Sequence, residues 1–193
     1  MKQTVRIIGG IYRGKKLPVP LIDGLRPTPD RVRETLFNWL MHSIRNSRCL
    51  DAFAGSGALG FEALSRGALE VVLLEKDRNA YENLQRVAVS FQTQTLNMIH
   101  TDALQYLKQS SAQFNLIFLD PPFSQSYLLS SLDILAERPI LVEDGLVYLE
   151  IPQQIPINPV HWQILKSKQA GQVVYMLLKK RTLDKGTGSC FNQ

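Results

Sequence analysis

The chain has 193 residues, 45% hydrophobic and 20% charged, which suits one globular domain with a full core and is short for two. No apolar run approaches the roughly 18 residues of a membrane span. Met1–Thr4 leads into no signal-type apolar region, and the distant Cys49 and Cys190 offer neither a metal-ligand spacing nor a disulfide framework, so a cytoplasmic protein is the expectation.

Residues 1–48 hold ten Lys/Arg against three Asp/Glu, out of a net charge of +5, and a basic arm on a near-neutral body points to an anionic partner such as nucleic acid. Within it, residues 4–8 and 11–17 read as two short strands about the turn signal Gly9-Gly10. Arg6, Arg13, Lys15 and Lys16 decorate that hairpin. A Pro/Gly-containing connector, 18–27, precedes a helix start, with Thr28 as N-cap and Pro29 at the first helical position. Val32, Leu36, Leu40 and Ile44 recur at spacing four and form one apolar face. Arg31, Arg33 and Glu34 fall off that face.

From residue 48 apolar runs alternate with amphipathic segments. The runs are Cys49–Ala54, Glu70–Glu75, Asn97–Thr101, Asn115–Asp120 and Leu146–Ile151, and helices are expected over 58–66, 78–91, 103–110 and 127–137. This alternation predicts an α/β protein with a parallel sheet covered on both faces. Residues 162–168 and 173–180 are strand-like, and Ala170-Gly171-Gln172 between them is too short for a crossover helix. They should form an antiparallel hairpin, leaving one reversed strand near a sheet edge. The expected organisation is a basic extension (1–47) that faces an anionic partner, a main α/β domain (48–181) and a loose tail (182–193).

The chemistry concentrates at the ends of the runs. Asp51-Ala-Phe53-Ala-Gly55-Ser-Gly57-Ala-Leu-Gly60 follows the first run and opens a helix. Its G-x-G-x-x-G core alone fits any doubly wound nucleotide site. Glu75 ends the second run, where a carboxylate can accept from both hydroxyls of a ribose. Asp51 would repel a pyrophosphate and attract an ammonium or sulfonium, which favours S-adenosylmethionine as cofactor. Asp102 closes the third run, either as acceptor for an adenine amine or as N-cap of the helix over 103–110, or both. Asp120-Pro121-Pro122-Phe123 ends the fourth. An exocyclic base amine is a poor nucleophile because its lone pair is delocalised into the ring. The Asp120 carboxylate and the Pro121 carbonyl can accept its protons and free that lone pair, two prolines fix the acceptors, and Phe123 offers a face to a flipped base. No His/Cys cluster suggests a metal; His42, His100 and His161 read as structural.

Asp51–Gly60, Glu75, Asp102 and Asp120–Phe123 together resemble the class I S-adenosylmethionine-dependent methyltransferases, and D-P-P-F resembles their amino-methyltransferase motif. Arg6–Gly10, Arg13–Leu17 and Arg26–Asn38 resemble the bacterial RsmD family, which methylates N2 of one guanine in 16S ribosomal RNA. The resemblance implies a mostly parallel seven-stranded sheet with one reversed strand and an N-terminal hairpin. It implies cofactor contacts from Asp51, Phe53, Gly55, Gly57, Glu75, Lys76, Asp102 and Ala103, and catalysis by Asp120, Pro121, Pro122 and Phe123. Substrate contacts would come from Arg6, Arg13, Lys15, Arg26, Thr28, Arg33 and Glu34. The implied partner is the small ribosomal subunit, with neighbouring ribosomal proteins assisting a monomeric enzyme. The hairpin has Gly14-Lys15 where the family suggests Gly-Arg, which keeps the charge but loses bidentate phosphate geometry. Alternatives are an amino-methyltransferase of adenine N6, an NAD-dependent oxidoreductase, and an RNA-binding protein on a relic fold.

Overall fold

The structure, a computed structural model, describes residues 4–20, 22, 27–121, 125–152, 157 and 160–181. Arg26, Pro122, Phe123 and the tail over 182–193 therefore lie outside the described residues. The elements are β1 (Thr4–Arg6), β2 (Lys16–Pro18), α1 (Asp30–Trp39), β3 (Arg48–Asp51), α2 (Ala58–Ser65), β4 (Glu70–Glu75), α3 (Arg78–Val89), β5 (Leu96–His100), α4 (Ala103–Gln109), β6 (Phe114–Leu119), α5 (Gln125–Glu137), β7 (Leu141–Pro152), β8 (Trp162–Ala170) and β9 (Val173–Lys180).

Seven strands form one sheet in the order β5-β4-β3-β6-β7-β9-β8. β9 alone runs antiparallel, to β7 on one side and β8 on the other, so the expected single reversed strand is found one place in from the edge. The chain travels outward from β3 through β4 to β5, then returns to lay β6 against the other side of β3. That reversal opens a crevice at the carboxyl ends of β3 and β6, where doubly wound sheets bind ligands.

Side-chain alternation along buried strands divides the core in two. Cys49, Leu116 and Phe118 pack with α1 and α2 on one face, and Leu50, Ile117 and Leu119 pack with α4 and α5 on the other. Ile7 and Leu17 belong to the first of these clusters, so the N-terminal segment shares the core of the sheet. Among the described residues, no helix is long and apolar enough to cross a membrane.

The N-terminal expectation needs correction. Each strand of the hairpin is only three residues long, paired Thr4↔Pro18 to Arg6↔Lys16, and residues 7–15 form a folded loop. The cause is competition for backbone donors. Ile8 and Gly9 N–H donate to the Glu62 carboxylate at 2.8 and 2.9 Å. Ile11 N–H donates to the Ser65 carbonyl and Tyr12 N–H to the Ser65 hydroxyl, at 2.8 and 2.9 Å. Donors that a longer ladder would have used are spent on α2. Gly10 sits at φ +78°, and a Cβ there would collide with the Ser65 carbonyl, so only glycine lets the loop press so close to that helix.

Thr28 is not the cap of α1. The helix begins at Asp30 with Pro29 in the N-cap position and no side-chain cap, because the Thr28 hydroxyl is drawn into the site described next. Val32, Leu36, Leu40 and Ile44 are all buried as expected, although the regular helix stops at Trp39 and the last two sit in the turns after it.

Candidate active site at the carboxyl ends of the strands

Asp51 ends β3 with its side chain buried, and its Oδ2 accepts the Gly60 N–H at 3.0 Å. Burial pushes its carboxyl up to about 7, the Gly60 hydrogen bond partly opposing and the Glu75 charge adding to the rise. Glu75 ends β4 and clasps the glycine turn, accepting Gly55 N–H at 2.8 Å on Oε2 and Asp77 N–H at 2.7 Å on Oε1. Each oxygen keeps a second acceptor position. In the turn itself Gly57 has φ +77°, and a Cβ there would run into Phe61 and Leu84; the requirement for glycine comes from the protein's own core.

Asp102 fills the cap role weighed in the sequence. Its Oδ1 accepts Leu104 and Gln105 N–H at 2.9 and 3.2 Å at the start of α4, while Oδ2 accepts from Lys76 Nζ at 3.0 Å and the Tyr127 hydroxyl at 3.2 Å. Burial alone would raise this carboxyl, but Lys76, the Gln105 N–H and Tyr127 together hold it below the ordinary value. Tyr127 also meets Phe53 edge to face, with centroids 6.2 Å apart. The structure thus gathers Phe53, Lys76 and Asp102, the last followed by buried Ala103, at one tyrosine of α5 that the sequence had not singled out.

The second cluster lies across the crevice. The Thr28 hydroxyl is 2.9 Å from Glu150 Oε1 and 3.4 Å from Asp120 Oδ2. The Tyr148 hydroxyl donates to the same Glu150 oxygen at 2.9 Å. Asp120 is held well above the ordinary carboxylate range, first by burial and then by the charges of Glu150 and Asp51, with the Thr28 hydroxyl opposing. Glu150 is raised by burial, against its two hydrogen bonds, and Tyr148 is raised by burial and by the Glu150 charge. Asp51, Asp120 and Glu150 are thus three carboxylates gathered at the ends of β3, β6 and β7. No cation offsets Asp51 or Asp120 among the described residues. Glu150 was legible as the one acid inside the run Leu146–Ile151, at a strand end as Asp51 and Glu75 are; its partnership with residue 28 was not.

Of the residues expected to meet substrate, Arg6 and Arg13 are exposed and line one shallow surface cleft with exposed Glu34. Lys15 is engaged within the protein, its Nζ donating to the Ser90 carbonyl at 2.8 Å and lying 4.7 Å from the Phe91 ring centroid. Arg33 is a correction: its side chain is 0% exposed. It donates to the Thr28 carbonyl (3.2 Å), the Arg6 carbonyl (2.9 Å) and Asp30 Oδ1 (2.6 Å), and pairs with Glu62 at 3.5 Å. A guanidinium so enclosed is structural, because it keeps no surface for a phosphate.

The sequence matches, over residues 5–179, the family described as Conserved hypothetical protein 95. It is 46% identical over 183 residues to Ribosomal RNA small subunit methyltransferase D of Haemophilus influenzae, covering 91% of this chain and 94% of that protein. It is 43% identical over 178 residues to the protein of the same name in Escherichia coli, covering 91% and 90%. The solved structure of Escherichia coli yhhF has a TM-score of 0.86 at 42% identity, covering 94% of this chain and 100% of that one. The fold is also that of the Thermus thermophilus 16S rRNA N2 G1207 methyltransferase, solved with AdoMet and guanosine, at TM-score 0.71 and 22% identity over 94% of this chain and 50% of that one. With near-complete coverage of relatives well above 30% identity, this chain belongs to the family of ribosomal RNA small subunit methyltransferase D.

Proposed function

We propose that this protein transfers a methyl group from S-adenosylmethionine to the exocyclic N2 amine of one guanine in 16S ribosomal RNA, acting as a monomer on small subunits in the cytoplasm. The observation that carries the reading is the set of three carboxylates Asp51, Asp120 and Glu150 at adjacent strand ends, two of them raised by burial and like charge with no cation to offset them among the described residues. A ligand bearing ammonium and sulfonium charges suits that field, and a pyrophosphate does not, which disfavours the nicotinamide alternative. The cofactor, when bound, supplies the electrophilic methyl.

The chain's own residues supply position and electrostatics. Asp51 holds the positive end of the cofactor, Glu75 offers its spare acceptor positions to the ribose, and Phe53, Lys76, Asp102 and Ala103 surround the adenine, beside the turn of Gly55 and Gly57. Asp120 and the Pro121 carbonyl accept the two protons of the amine and draw its nitrogen toward tetrahedral geometry. Pro122 stiffens that loop, and Phe123 stacks the flipped base. Arg6 and Arg13 serve RNA phosphates, with Glu34 lining the same cleft; Arg26 is assigned to the RNA by the family resemblance alone, and ribosomal proteins near the target complete the docking surface.

The test is nucleoside mass spectrometry after incubation with S-adenosylmethionine and unmodified small subunits, with naked 16S RNA in parallel. N2-methylguanosine at one site is expected, more with subunits than with naked RNA. Asp120→Ala should abolish transfer while cofactor affinity, read by calorimetry, stays near normal. Methyladenosine would overturn the choice of base, and full activity of the variant would overturn the role of Asp120.

A further inference from the structure

Methylation of an amine leaves a proton to be placed. The nitrogen lone pair forms the new N–C bond, the C–S electron pair returns to sulfur, and the nitrogen, now positive, must shed one hydrogen as H⁺. A second carboxylate stands one hydroxyl behind Asp120. The Thr28 oxygen lies within reach of both, at 3.4 Å from Asp120 and 2.9 Å from Glu150, and its single hydrogen can serve only one at a time.

We propose that Glu150 is a positioning residue that, through the Thr28 hydroxyl, takes up the proton delivered to Asp120 and so returns Asp120 to its acceptor form. The proposal rests on the methyltransferase reading above. The relay is balanced without any further reactant. H⁺ passes from nitrogen to Asp120, from Asp120 to the Thr28 oxygen, and the hydrogen already on Thr28 moves to Glu150. Local charge is conserved, since a positive charge disappears at sulfur as a proton arrives on the carboxylate pair.

The surroundings fit a proton store. Facing Glu150 are Asp120 from β6, with Asp51 of β3 behind it, the Tyr148 hydroxyl from its own strand, and Tyr175, its register partner on β9. Arg33 of α1 touches this cluster at the Thr28 backbone carbonyl, its other contacts being to Arg6, Asp30 and Glu62. Burial raises both members of the pair, and the charges of Glu150 and Asp51 raise Asp120 further, as expected of two carboxylates that hold one proton between them. Tyr148 and Thr28 both donate to one Glu150 oxygen, which fixes the carboxylate in place. A wall residue would not need that.

Two measurements on the full chain test this. The first is the pH profile of single-turnover transfer to unmodified small subunits. Glu150→Gln keeps the acceptor for Thr28 and Tyr148 but cannot take a proton. It should move the acid limb about one pH unit lower, because Asp120 loses its like-charged neighbour, and cut the plateau about a hundredfold. Thr28→Val should cut the plateau likewise, and Thr28→Ser should restore it. The second needs no turnover: calorimetric proton counts near pH 7 for binding S-adenosylmethionine and, separately, S-adenosylhomocysteine, which lacks the sulfonium charge. The charged ligand should release more protons than the uncharged one, and Glu150→Gln should shrink the difference. Normal binding with an unchanged proton difference and an unchanged acid limb in Glu150→Gln would overturn the relay alone. No binding of either ligand to the wild type would overturn the methyltransferase reading, and the relay with it.

Discussion

Glu62 is the residue whose alteration should cost this protein most for the least change in shape. Its carboxylate is 0% exposed and accepts four donors: Ile8 N–H (2.8 Å), Gly9 N–H (2.9 Å), Arg66 Nε (2.7 Å) and Arg33 Nη1 (3.5 Å). Glu62→Gln replaces one oxygen by an amide nitrogen. Whichever way the amide turns, its N–H₂ faces two donors, either Ile8 with Arg33 or Gly9 with Arg66. One backbone N–H is left buried and unpaired, which costs about 1–3 kcal/mol. Arg33 keeps only the half-exposed Asp30 as counter-charge, and breaking a buried pair from one side costs about 3–5 kcal/mol. The two effects share atoms and do not add, so a loss of about 4 kcal/mol is expected. For a chain of this size that corresponds to a fall in Tm of roughly 8–16 °C. Urea unfolding measures it, with an unchanged m-value showing that the folded and unfolded states remain comparable. Arg33→Met should be destabilising as well, and the double variant should lose less than the sum, with a coupling of about 0.5–3 kcal/mol. A loss under about 1 kcal/mol in Glu62→Gln, or a cycle with no coupling, would refute the assignment of this buried network.

Two other perturbations follow from the same structure. Gly57→Ala demands a left-handed backbone of a residue with a Cβ and drives that Cβ into Phe61 and Leu84; a loss of roughly 2–5 kcal/mol is expected from strain plus overpacking, and a Tm within a degree of wild type would contradict it. Asp51 stands at about 7 against an ordinary 3.8, so its proton is held more tightly folded than unfolded. Its contribution to stability is full below about pH 4 and is lost as pH rises through about 7, by on the order of 4 kcal/mol at most. The free protein should therefore lose stability between pH 5 and pH 8, and Asp51→Asn should flatten that slope. S-adenosylmethionine should raise Tm more at pH 8 than at pH 6, because at the lower pH Asp51 must first give up its proton. A pH-independent thermal shift would argue against a cation facing Asp51.

The elements from residue 48 onward were readable because their signal is local. Buried strands appear as apolar runs, and each helix carries its own stripe. The strand-end acids Asp51, Glu75, Asp102 and Asp120 were readable for the same reason, as single charges where a run stops. The N-terminal loop was not, since the groups that unmake its strands, Glu62 and Ser65, lie more than fifty positions away. Arg33 was misassigned because the apolar face of α1 was counted along one row only. Phe37 is buried too, and Arg33 stands one turn before it, so the buried stripe is two rows wide and the arginine lies inside it. Thr28 has the residue type and position of a cap, and local reasoning has no means of seeing a carboxylate from β7 outbid the helix for its hydroxyl.

A single chain of polar contacts joins these non-local facts to the chemistry. The loop N–H groups of Ile8 and Gly9 bind Glu62, Glu62 pairs with Arg33, Arg33 Nε holds the Thr28 carbonyl, and the Thr28 hydroxyl reaches Glu150 and Asp120. Ile7 and Leu17 of the N-terminal segment pack in the first core cluster with Val32 of α1 and Phe61 of α2, the sequence neighbours of Arg33 and Glu62. The N-terminal segment therefore supports a wall of the candidate site as well as carrying basic side chains. Removing residues 4–18 would strip Glu62 of two donors and would take the Arg6 carbonyl from Arg33, the anchor of the Thr28 carbonyl, so an N-terminally shortened chain is expected to lose the fixed geometry around Asp120. This explains why a segment outside the seven-stranded sheet carries buried charge at all. The ion pair is expensive to bury, and through the Thr28 carbonyl it holds residue 28 beside Asp120 and Glu150, two buried carboxylates at the ends of adjacent strands.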